Sequence, residues 1–476
     1  MSTRDATASR SVPLGLAVLA PLVALAVVAT VPDGPAPTSP AGAVIETVPR
    51  SAVACPPAPV PRGATASVVG GAVPGETARA ARPDAGGVGE PARTLPGGPG
   101  AVVELPAPAA EGAVLRGVGD AARGTFAARV DRDDRTLAVL RCEQPAAHWW
   151  FAGAGGNLDH SSVLHLANVD DGPAVVDVRL HGATQSVDVS GTQGLTLAPG
   201  RSLRLRLAEL APGSPELTVE VAASRGRVAA AVADTVDAGR EWLPPTAPPG
   251  RRVVVPGGAA AAAGRATLLV TNPGDTQAVV DLQVLGRNGA FVPVDQEPVT
   301  VEPGAVAAVD LGGALGRAAA VRVLSEVPVV AALRTTVRGT TVRGTTVRGT
   351  TVRGTRRRGD HAVAAGGRPL EEGTPVVLVA AGRRTALRLA AGDEAATVHL
   401  VERTAGGRLR SQGEVRLPAG GSLQRVLGPR TASVTVTSKG GVLYAAAVHA
   451  GPGVAVQPAP PVPWTVVRPV VRAPAR

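Results

Sequence analysis

Hydrophobic and polar residues alternate along much of the chain with the period of two that is typical of β-strands. Val176, Val178 and Leu180, for example, alternate with Asp177 and Arg179. Similar runs recur at a spacing of roughly 8–12 residues, with turns rich in Gly, Pro and Asp between them. A period of two turns one apolar face toward a core and one polar face toward water. The pattern therefore predicts an all-β fold built from sandwiches or barrels.

The alternating pattern is duplicated along the chain. Asn168 and Asp177 have counterparts 104 residues later in Asn272 and Asp281. The two stretches align without a gap over about 40 positions, which indicates a duplicated domain. A third, more divergent copy contains Leu417-Pro418-Ala419-Gly420. We predict tandem immunoglobulin-like β-sandwich domains at residues 143–245, 251–336 and 371–455.

The stretch between the two cysteines of the chain, Cys55 and Cys142, is less regular. Two cysteines in an exported chain most often form one disulfide. We interpret residues 55–142 as a small β region closed by this disulfide, either as a domain of its own or as extra strands packed on the next sandwich. The alternative is a reactive thiol, but no CxxC or Cys–His motif accompanies either cysteine.

The N-terminus predicts export. Arg4 and Arg10 precede an uncharged run at residues 11–32, which reaches the roughly 20 residues that a membrane-spanning helix needs. An uncleaved transmembrane anchor, which we favour, and a cleaved signal peptide both fit this run. We predict such a helix at residues 1–31 and a Pro-rich linker at residues 32–54. The chain is then either a single-pass cell-membrane protein with an extracytoplasmic C-terminal region, or a secreted protein.

Composition supports a β-rich fold and draws attention to one aromatic cluster. The chain has 59 Gly and 44 Pro, and both residue types interrupt helices. Aromatic residues make up only 2% of the chain, yet Trp149, Trp150 and Phe151 are adjacent. They are candidates for an exposed platform that binds a sugar or a partner protein. We favour the alternative of a buried plug at a domain junction.

The repeated asparagines, Asn168 and Asn272, each begin a turn that contains Gly and Asp. Asn side chains close such turns by bonding to nearby backbone groups. A calcium site is the alternative, but the acidic residues match no calcium-loop spacing. We therefore predict turns and no metal site.

An apolar N-terminal segment, a cysteine after a short linker, a second cysteine just before the aromatic triplet, and duplicated sandwiches follow one another along the chain. This order resembles an uncharacterised family of secreted or membrane-anchored actinobacterial proteins, known only as a domain of unknown function. The resemblance runs from about Val12 to His449. It implies an exported β-rich protein and supplies no catalytic residues.

A block of arginines departs from that family pattern. Four copies of Thr-Thr-Val-Arg-Gly lie between Thr335 and Gly354, and the formal net charge of +10 is concentrated there. The candidate contacts to a polyanion are Arg338, Arg343, Arg348, Arg353, Arg356, Arg357 and Arg358. We favour neutral expansion of a short repeat within a surface loop and linker at residues 337–370. The tripeptide Arg358-Gly359-Asp360 matches an adhesion motif that chance alone produces in a chain so rich in Arg and Gly.

The chain lacks the sequence signatures of known catalytic and metal sites. Its seven histidines have no zinc spacing, and it has no nucleophile elbow and no phosphate-binding loop. His165, His181 and His399 fall at polar-face strand positions, where we expect solvated imidazoles. These features predict a protein without cofactor, metal or nucleic-acid partner.

We therefore predict a non-enzymatic exported protein of the cell envelope, acting as a scaffold or as a binding module for a protein or a surface polysaccharide. An extracytoplasmic hydrolase acting on cell-wall glycan is the first alternative, since paired carboxylates from distant positions leave no sequence signature. A polyanion-binding surface protein is the second. Residues 456–476 form a Pro/Arg-rich tail.

Overall fold

Strands dominate the protein, as the alternating pattern predicts. The computed structural model describes residues 44–47, 49–56, 65–72, 84–86, 93–95, 100–106, 112–134, 136–258, 265–294, 297–312, 315, 320–337, 346–347, 350–351, 359–459 and 465–468. Within these residues the helical elements are a single turn, α1 (Leu207–Leu210), and a 3-10 helix (Gly119–Arg123). The all-β prediction is thus confirmed for the described part of the chain.

The terminal strands, β1 (Val44–Thr47) and β37 (Thr465–Arg468), pair with each other in a two-stranded sheet. The strands between them belong to one compact unit that spans Thr47–Trp464. Inside this unit, four groups of consecutive strands each form two sheets around an apolar core. We call them sandwiches 1 to 4.

Sandwich 1 contains the region between the cysteines. Its strands are β2 (Arg50–Cys55), β3 (Thr65–Ala72), β4 (Asp84–Gly86), β5 (Arg93–Thr94), β6 (Val103–Pro106), β7 (Ala113–Val118), β8 (Thr125–Arg132) and β9 (Leu137–Cys142). One sheet has the order β2-β7-β4-β5 and the other the order β6-β3-β8-β9. The strands of this region thus form two sheets of their own.

Sandwich 2 has the same plan. Its strands are β10 (His148–Ala154), β11 (His160–Ala167), β12 (Ala174–His181), β13 (Ser186–Val187), β14 (Leu195–Leu197), β15 (Ser202–Arg206), β16 (Leu217–Arg225), β17 (Ala229–Val236) and β18 (Gly239–Leu243). The sheets are β10-β16-β12-β13, with β14 also on β12, and β15-β11-β17-β18.

Sandwich 3 repeats the plan with one long strand. Its strands are β19 (Gly250–Pro256), β20 (Arg265–Thr271), β21 (Ala278–Leu285), β22 (Ala290–Phe291), β23 (Val299–Val301), β24 (Val306–Asp310), β25 (Ala320–Val337) and β28 (Asp360–Ala365). β25 pairs with β19 and β21 in its first half, and with β20 and β28 in its second half. It therefore replaces two strands of the other sandwiches. A short hairpin, β26 (Thr346–Val347) and β27 (Thr350–Thr351), lies between β25 and β28 along the chain.

Sandwich 4 completes the series. Its strands are β29 (Pro375–Val379), β30 (Arg384–Ala391), β31 (Ala396–Arg403), β32 (Leu409–Leu417), β33 (Ser422–Val426), β34 (Ser433–Gly440), β35 (Leu443–Ala450) and β36 (Val454–Pro458). The sheets are β29-β34-β31-β32 and β33-β30-β35-β36. All four sandwiches thus share one strand order.

The sandwiches pack through their outer faces and close on one another. Sandwich 1 meets sandwich 2 through apolar residues such as Leu140 and Trp242, and sandwich 3 adds Val363 to the core cluster of sandwich 2. Sandwich 4 adds Val448 to the core cluster of sandwich 3, and its Val377 packs into a cluster of sandwich 1. Each sandwich therefore has two neighbours, and the series is closed.

The last strand of each sandwich lies at the centre of this arrangement. β9 contacts β18, β18 contacts β28, β28 contacts β36, and β36 contacts β9. Each of these is an edge strand of its own sheet. An unpaired edge is normally a liability, because it offers free backbone groups to another chain, and here the neighbouring sandwiches cover it.

Candidate functional site

A buried carboxylate, Asp234 on β17, joins sandwiches 2 and 3. Its Oδ1 accepts hydrogen bonds from His160 Nε2 at 3.0 Å and from Ser162 Oγ at 2.5 Å. Its Oδ2 accepts a hydrogen bond from His361 Nε2 at 3.1 Å. His160 and Ser162 lie on β11 of sandwich 2, whereas His361 lies on β28 of sandwich 3. Because Asp234 is 1% exposed, these bonds supply the solvation that water would otherwise provide.

The hydrogen-bond partners define the charges in this cluster. His160 Nδ1 lies 2.7 Å from the carbonyl oxygen of Pro215, so both ring nitrogens of His160 face acceptors and both donate. Burial opposes the charge of His160, but the bond to Asp234 outweighs it and raises the pKa of His160. Burial likewise opposes the charge of Asp234, but the bonds from His160 and His361 hold the pKa of Asp234 well below its usual range. The cluster is an ion pair buried inside the protein.

The cluster contains the residue types of a catalytic triad in a different arrangement. In a triad the imidazole lies between the hydroxyl and the carboxylate and accepts the hydroxyl proton. Here Ser162 donates directly to Asp234 and accepts from the backbone N–H of Gly155 at 2.8 Å. Ser162 is also 0% exposed. The arrangement positions two sandwiches and does not prepare a serine nucleophile.

A polar pocket of about 140 Å³ adjoins the cluster, between the β8–β9 hairpin of sandwich 1 and one sheet of sandwich 2. Its acidic lining residues are Asp131, Asp133, Asp234 and Glu241, and its basic ones are Arg132, Arg204 and Arg240. Small-molecule sites usually enclose roughly 300–1,000 Å³. This pocket therefore accommodates a small group and is too small for an extended ligand.

Most of the acidic groups of this polar pocket are already engaged. Asp131 accepts hydrogen bonds from Arg129 Nε at 2.9 Å and from the indole nitrogen of Trp242 at 3.0 Å. Asp133 accepts from the backbone N–H and the hydroxyl of Thr136, at 2.6 and 2.8 Å. The bond from Trp242 links the hairpin of sandwich 1 to sandwich 2, whereas the bonds from Arg129 and Thr136 lie within the hairpin.

All four sandwiches meet at Asp360, the first residue of β28 in sandwich 3. Its Oδ2 accepts a hydrogen bond from the backbone N–H of Val454 in sandwich 4 at 2.8 Å, and the N–H of Leu137 in sandwich 1 also contributes. Gly239 of sandwich 2 lies so close that an added Cβ would collide with the carboxylate. Burial raises the pKa of Asp360 to about 6 against the effect of these bonds.

A groove of about 660 Å³ lies on sandwich 3. It is found where β25 bulges between Leu324 and Val329 opposite β19. The side chains of Arg251, Asp281 and Glu326 line it and make no hydrogen bond or ion pair within the described part of the chain. Arg252, also in the lining, pairs with Asp393. Gln277, also in the lining, donates to Glu302 at 2.8 Å. The groove therefore presents free hydrogen-bond donors and acceptors, on side chains of positive and of negative charge, to solvent.

A known family model matches most of the chain that forms the four sandwiches. The model of a family of unknown function, DUF5719, matches residues 107–426, from sandwich 1 into sandwich 4. The chain belongs to the DUF5719 family. This confirms the predicted membership in a domain-of-unknown-function family. No protein with a curated description matches the chain.

The predicted disulfide of this DUF5719 protein is confirmed. Cys55 on β2 and Cys142 on β9 are bonded, with their Cα atoms 4.7 Å apart. Both lie in the core of sandwich 1 at 1% exposure, and a backbone bridge between Ala54 and Glu143 continues the link. The bond connects the first strand of the sandwich to the end of its last strand.

The aromatic triplet lies inside sandwich 2 and forms no exposed platform there. Trp149, Trp150 and Phe151 on β10 are 8%, 7% and 0% exposed. The indole N–H of Trp149 donates to the carbonyl oxygen of Val228 at 2.9 Å, and the ring of Trp150 stacks on His181. The side chains therefore act as core residues of this DUF5719 protein.

The repeated asparagines close equivalent turns. Asn168 Nδ2 donates to the carbonyl oxygens of Gly172 and Leu197, at 2.8 and 2.9 Å. Asn272 Nδ2 donates to those of Thr276 and Val301, at 2.8 and 3.1 Å. Each side chain thus ties a turn to a neighbouring strand. Within the described residues, no group of three or more His, Cys, Asp or Glu is placed to hold a metal ion.

Two groups of predicted residues lie outside the described part of the chain. They are the N-terminal helix at residues 1–31 and the candidate polyanion contacts Arg338, Arg343, Arg348, Arg353, Arg356, Arg357 and Arg358. Among the described helices, none has the length and hydrophobicity of a membrane span.

The prediction of solvated imidazoles is wrong for two histidines, and the sequence did not indicate the role of a third. His165 and His181 are 1% and 4% exposed rather than solvated, because a neighbouring ring, Trp242 or Trp150, lies against each of them. His361 follows the arginine block directly and gave no signal of its role. Its partner Asp234 carried one signal, as an acid at a position where the period of two in β17 calls for an apolar residue.

Proposed function

We propose that this DUF5719 protein is a non-enzymatic, exported scaffold of the cell envelope that binds a surface polysaccharide through the groove of sandwich 3. The groove carries the proposal, because its volume falls in the range of ligand sites and the side chains of Arg251, Asp281 and Glu326 in its lining form no ion pair within the described part of the chain. Arg, Asp, Glu and Gln side chains carry planar groups that donate hydrogen bonds to sugar hydroxyls or accept hydrogen bonds from them. An envelope protein is the other partner that such a surface would suit.

Export and membrane anchoring are part of the proposal. The apolar N-terminal run and the paired cysteines support it, since disulfides persist in oxidising compartments. An anchor would leave the protein in the cell membrane with its sandwiches outside, and cleavage would release it. Mass spectrometry of the mature N-terminus distinguishes the two.

We also propose that the sandwiches are variants of the immunoglobulin fold. In sandwich 4, β30 pairs with β33 and β31 pairs with β34, as strands B with E and C with F do in that fold. The first and seventh strands, however, have exchanged sheets, since β29 pairs with β34 and β35 pairs with β30. A solved structure of an isolated sandwich would test this relationship.

The groove is tested with a matched pair of variants that the duplication supplies. Asp281 lines the groove, and Asp177 occupies the matching position 104 residues earlier in sandwich 2. We expect Asp281→Ala to weaken binding to a cell-wall polysaccharide preparation by about tenfold, which is about 1.4 kcal/mol, and Asp177→Ala to leave it unchanged. Equal binding by both variants and the parent protein would overturn the assignment of the groove.

A hydrolase acting on cell-wall glycan is a second candidate, favoured by one observation. Glu241 and Asp234 line the same polar pocket, and burial raises the pKa of Glu241 while the hydrogen bonds of Asp234 lower its pKa. Acid and base pairs in glycosidases are separated in this way. Release of reducing ends from the glycan by the parent protein, and its loss in Glu241→Gln, would support the hydrolase over the scaffold.

The arginine block is a third candidate site, for a polyanion. Deleting residues 340–354 removes three pentads and their charge. If the block binds a polyanion, the deletion weakens salt-sensitive binding to an anionic wall polymer. Unchanged binding would support neutral expansion of the repeat.

A further inference from the structure

The arginines of the polar pocket between sandwiches 1 and 2 differ from its acids in their partners. Asp131 is paired with Arg129, and Asp234 is paired with His160. Asp133 accepts hydrogen bonds from Thr136. Arg204 and Arg240 form no ion pair within the described part of the chain. Their guanidiniums therefore remain able to bind an anion at the pocket.

Arg240 is held where its charge is poorly solvated. It is half-buried on β18, next to Glu241 and Trp242 in the lining of the pocket. Burial lowers the pKa of Arg240 despite the field of Asp131 and Asp133. A guanidinium in this position is stabilised by any anion that enters the pocket. Its planar set of N–H donors suits an oxyanion in particular.

Glu241 supplies a second unused group. Its Oε1 accepts hydrogen bonds from the backbone N–H of Trp242 at 2.8 Å and of Val139 at 3.4 Å. Its Oε2 is buried and has no partner, although the residue is 3% exposed. Burial raises the pKa of Glu241 well above its usual range. A buried polar atom without a hydrogen-bond partner is costly, and a hydrogen bond to a ligand at the pocket would remove that cost.

We infer that this pocket is a binding site for a small oxyanion, the carboxylate or phosphate group of a ligand, held by the guanidiniums of Arg240 and Arg204 beside the carboxyl group of Glu241. The cavity of about 140 Å³ has room for such a group. The charges of Asp131 and Asp234 are paired with those of Arg129 and His160, which weakens their repulsion of an anion. The inference is independent of the groove on sandwich 3, because the two sites share no residue.

Isothermal titration of the full-length protein at pH 7 tests this site, with sodium phosphate and sodium acetate as probes. We expect binding of at least one anion, weakened about tenfold or more by Arg240→Gln. Arg206→Gln is the matched control, since Arg206 lies on β15 two residues after Arg204 and pairs with Glu209 at 2.8 Å instead. Absence of binding to both anions, or equal weakening by the control, would overturn the site. A phosphate-diester polymer as a third probe distinguishes free phosphate from polymer-borne phosphate.

The role of Glu241 has its own pair of variants. Gln keeps an acceptor for the two backbone N–H groups and offers an amide donor at the position of Oε2, whereas Met has neither. We therefore expect Glu241→Gln to bind the anion within about twofold of the parent protein at pH 7, and Glu241→Met to bind it about tenfold more weakly. Thermal unfolding of both variants checks that the fold persists. Equal affinity of the two folded variants would show that Glu241 does not contact the anion.

Discussion

Buried polar residues of this DUF5719 protein bind one sandwich to the next. The period of two predicts which face of a strand is polar, but it carries no information about what covers that face. His165 and His181 occupy positions that read as solvent-facing, and both are buried by tryptophans. Asp234 shows the converse, since an acid stands where the pattern of β17 requires an apolar residue. Such exceptions locate the polar contacts, but their partners come from distant parts of the sequence.

Asp234→Asn tests the buried ion pair. The substitution removes the charge that compensates His160 and leaves the imidazolium buried beside a neutral amide. Breaking a buried pair in this way costs about 3–5 kcal/mol. We expect a loss of this order in the free energy of unfolding, measured by urea titration with tryptophan fluorescence. Asp171→Asn, at an exposed position of the same sandwich, is the control. A loss no larger than that of the control would show that the pair contributes little.

At the scale of elements, the internal repeat predicts tandem sandwiches at residues 143–245, 251–336 and 371–455, and it does not indicate that residues 55–142 share their plan. In sandwich 1 the likeness is obscured because β4 and β5 have only three and two residues. Gly70 and Gly71 of β3 lie where an added Cβ would clash with Leu115 and Ala101, so small residues replace the usual alternation.

The long strand of sandwich 3 explains a drift in the repeat. Leu164 of sandwich 2 pairs with Val232, and the equivalent residue of sandwich 3, Leu268, pairs with Leu333. The first residues of the two pairs are 104 positions apart, but the second residues are only 101 positions apart. The stretch between the paired strands is therefore shorter in sandwich 3 than in sandwich 2. In sandwich 2 a turn containing Gly226, with a φ of 71°, separates β16 from β17, and in sandwich 3 the chain continues straight through as β25.

Removing the disulfide tests how far sandwich 1 depends on a covalent link. Cys55 and Cys142 close a loop with a sequence separation of 87, for which the chain-entropy model gives about 4–5 kcal/mol. We expect the double substitution to Ala to lower the free energy of unfolding by up to this amount in urea titrations. A reductant should have the same effect on the parent protein and none on the double variant. A parent protein that unfolds at the same urea concentration with and without reductant would contradict this expectation.

The closed arrangement of the four sandwiches is the feature least accessible from the sequence. Its interfaces use outer-face residues such as Ala231 and Leu140, whose small or aliphatic side chains do not distinguish an interface from an exposed surface. The four central strands come from positions spread from Leu137 to Pro458. Periodicity within one sandwich therefore predicts its own core and says nothing of its neighbours. Asp360, which the sequence assigns to a chance adhesion tripeptide, is 5% exposed at the point where all four sandwiches meet.

The titration of Asp360 predicts how pH acts on the whole molecule. Its carboxyl binds a proton more tightly in the folded state, with a pKa of about 6, than in the unfolded state, where it has the ordinary Asp pKa of 3.8. The folded protein therefore gains stability from this group below pH 4, and that gain is lost as pH rises through 6. The loss amounts to about 3 kcal/mol, since each pKa unit corresponds to about 1.4 kcal/mol.

Asp360→Asn isolates this contribution. The amide oxygen still accepts the hydrogen bond from Val454, but the group no longer ionises. His361, Glu241 and Asp234 are ionisable residues nearby, so the informative quantity is the difference between variant and parent protein at each pH. We expect the variant to gain stability relative to the parent by about 3 kcal/mol between pH 4 and pH 7.5, measured by urea titration. Curves that stay parallel across this range would show that Asp360 ionises in the folded protein as it does in the unfolded chain, and that the four-sandwich junction admits water.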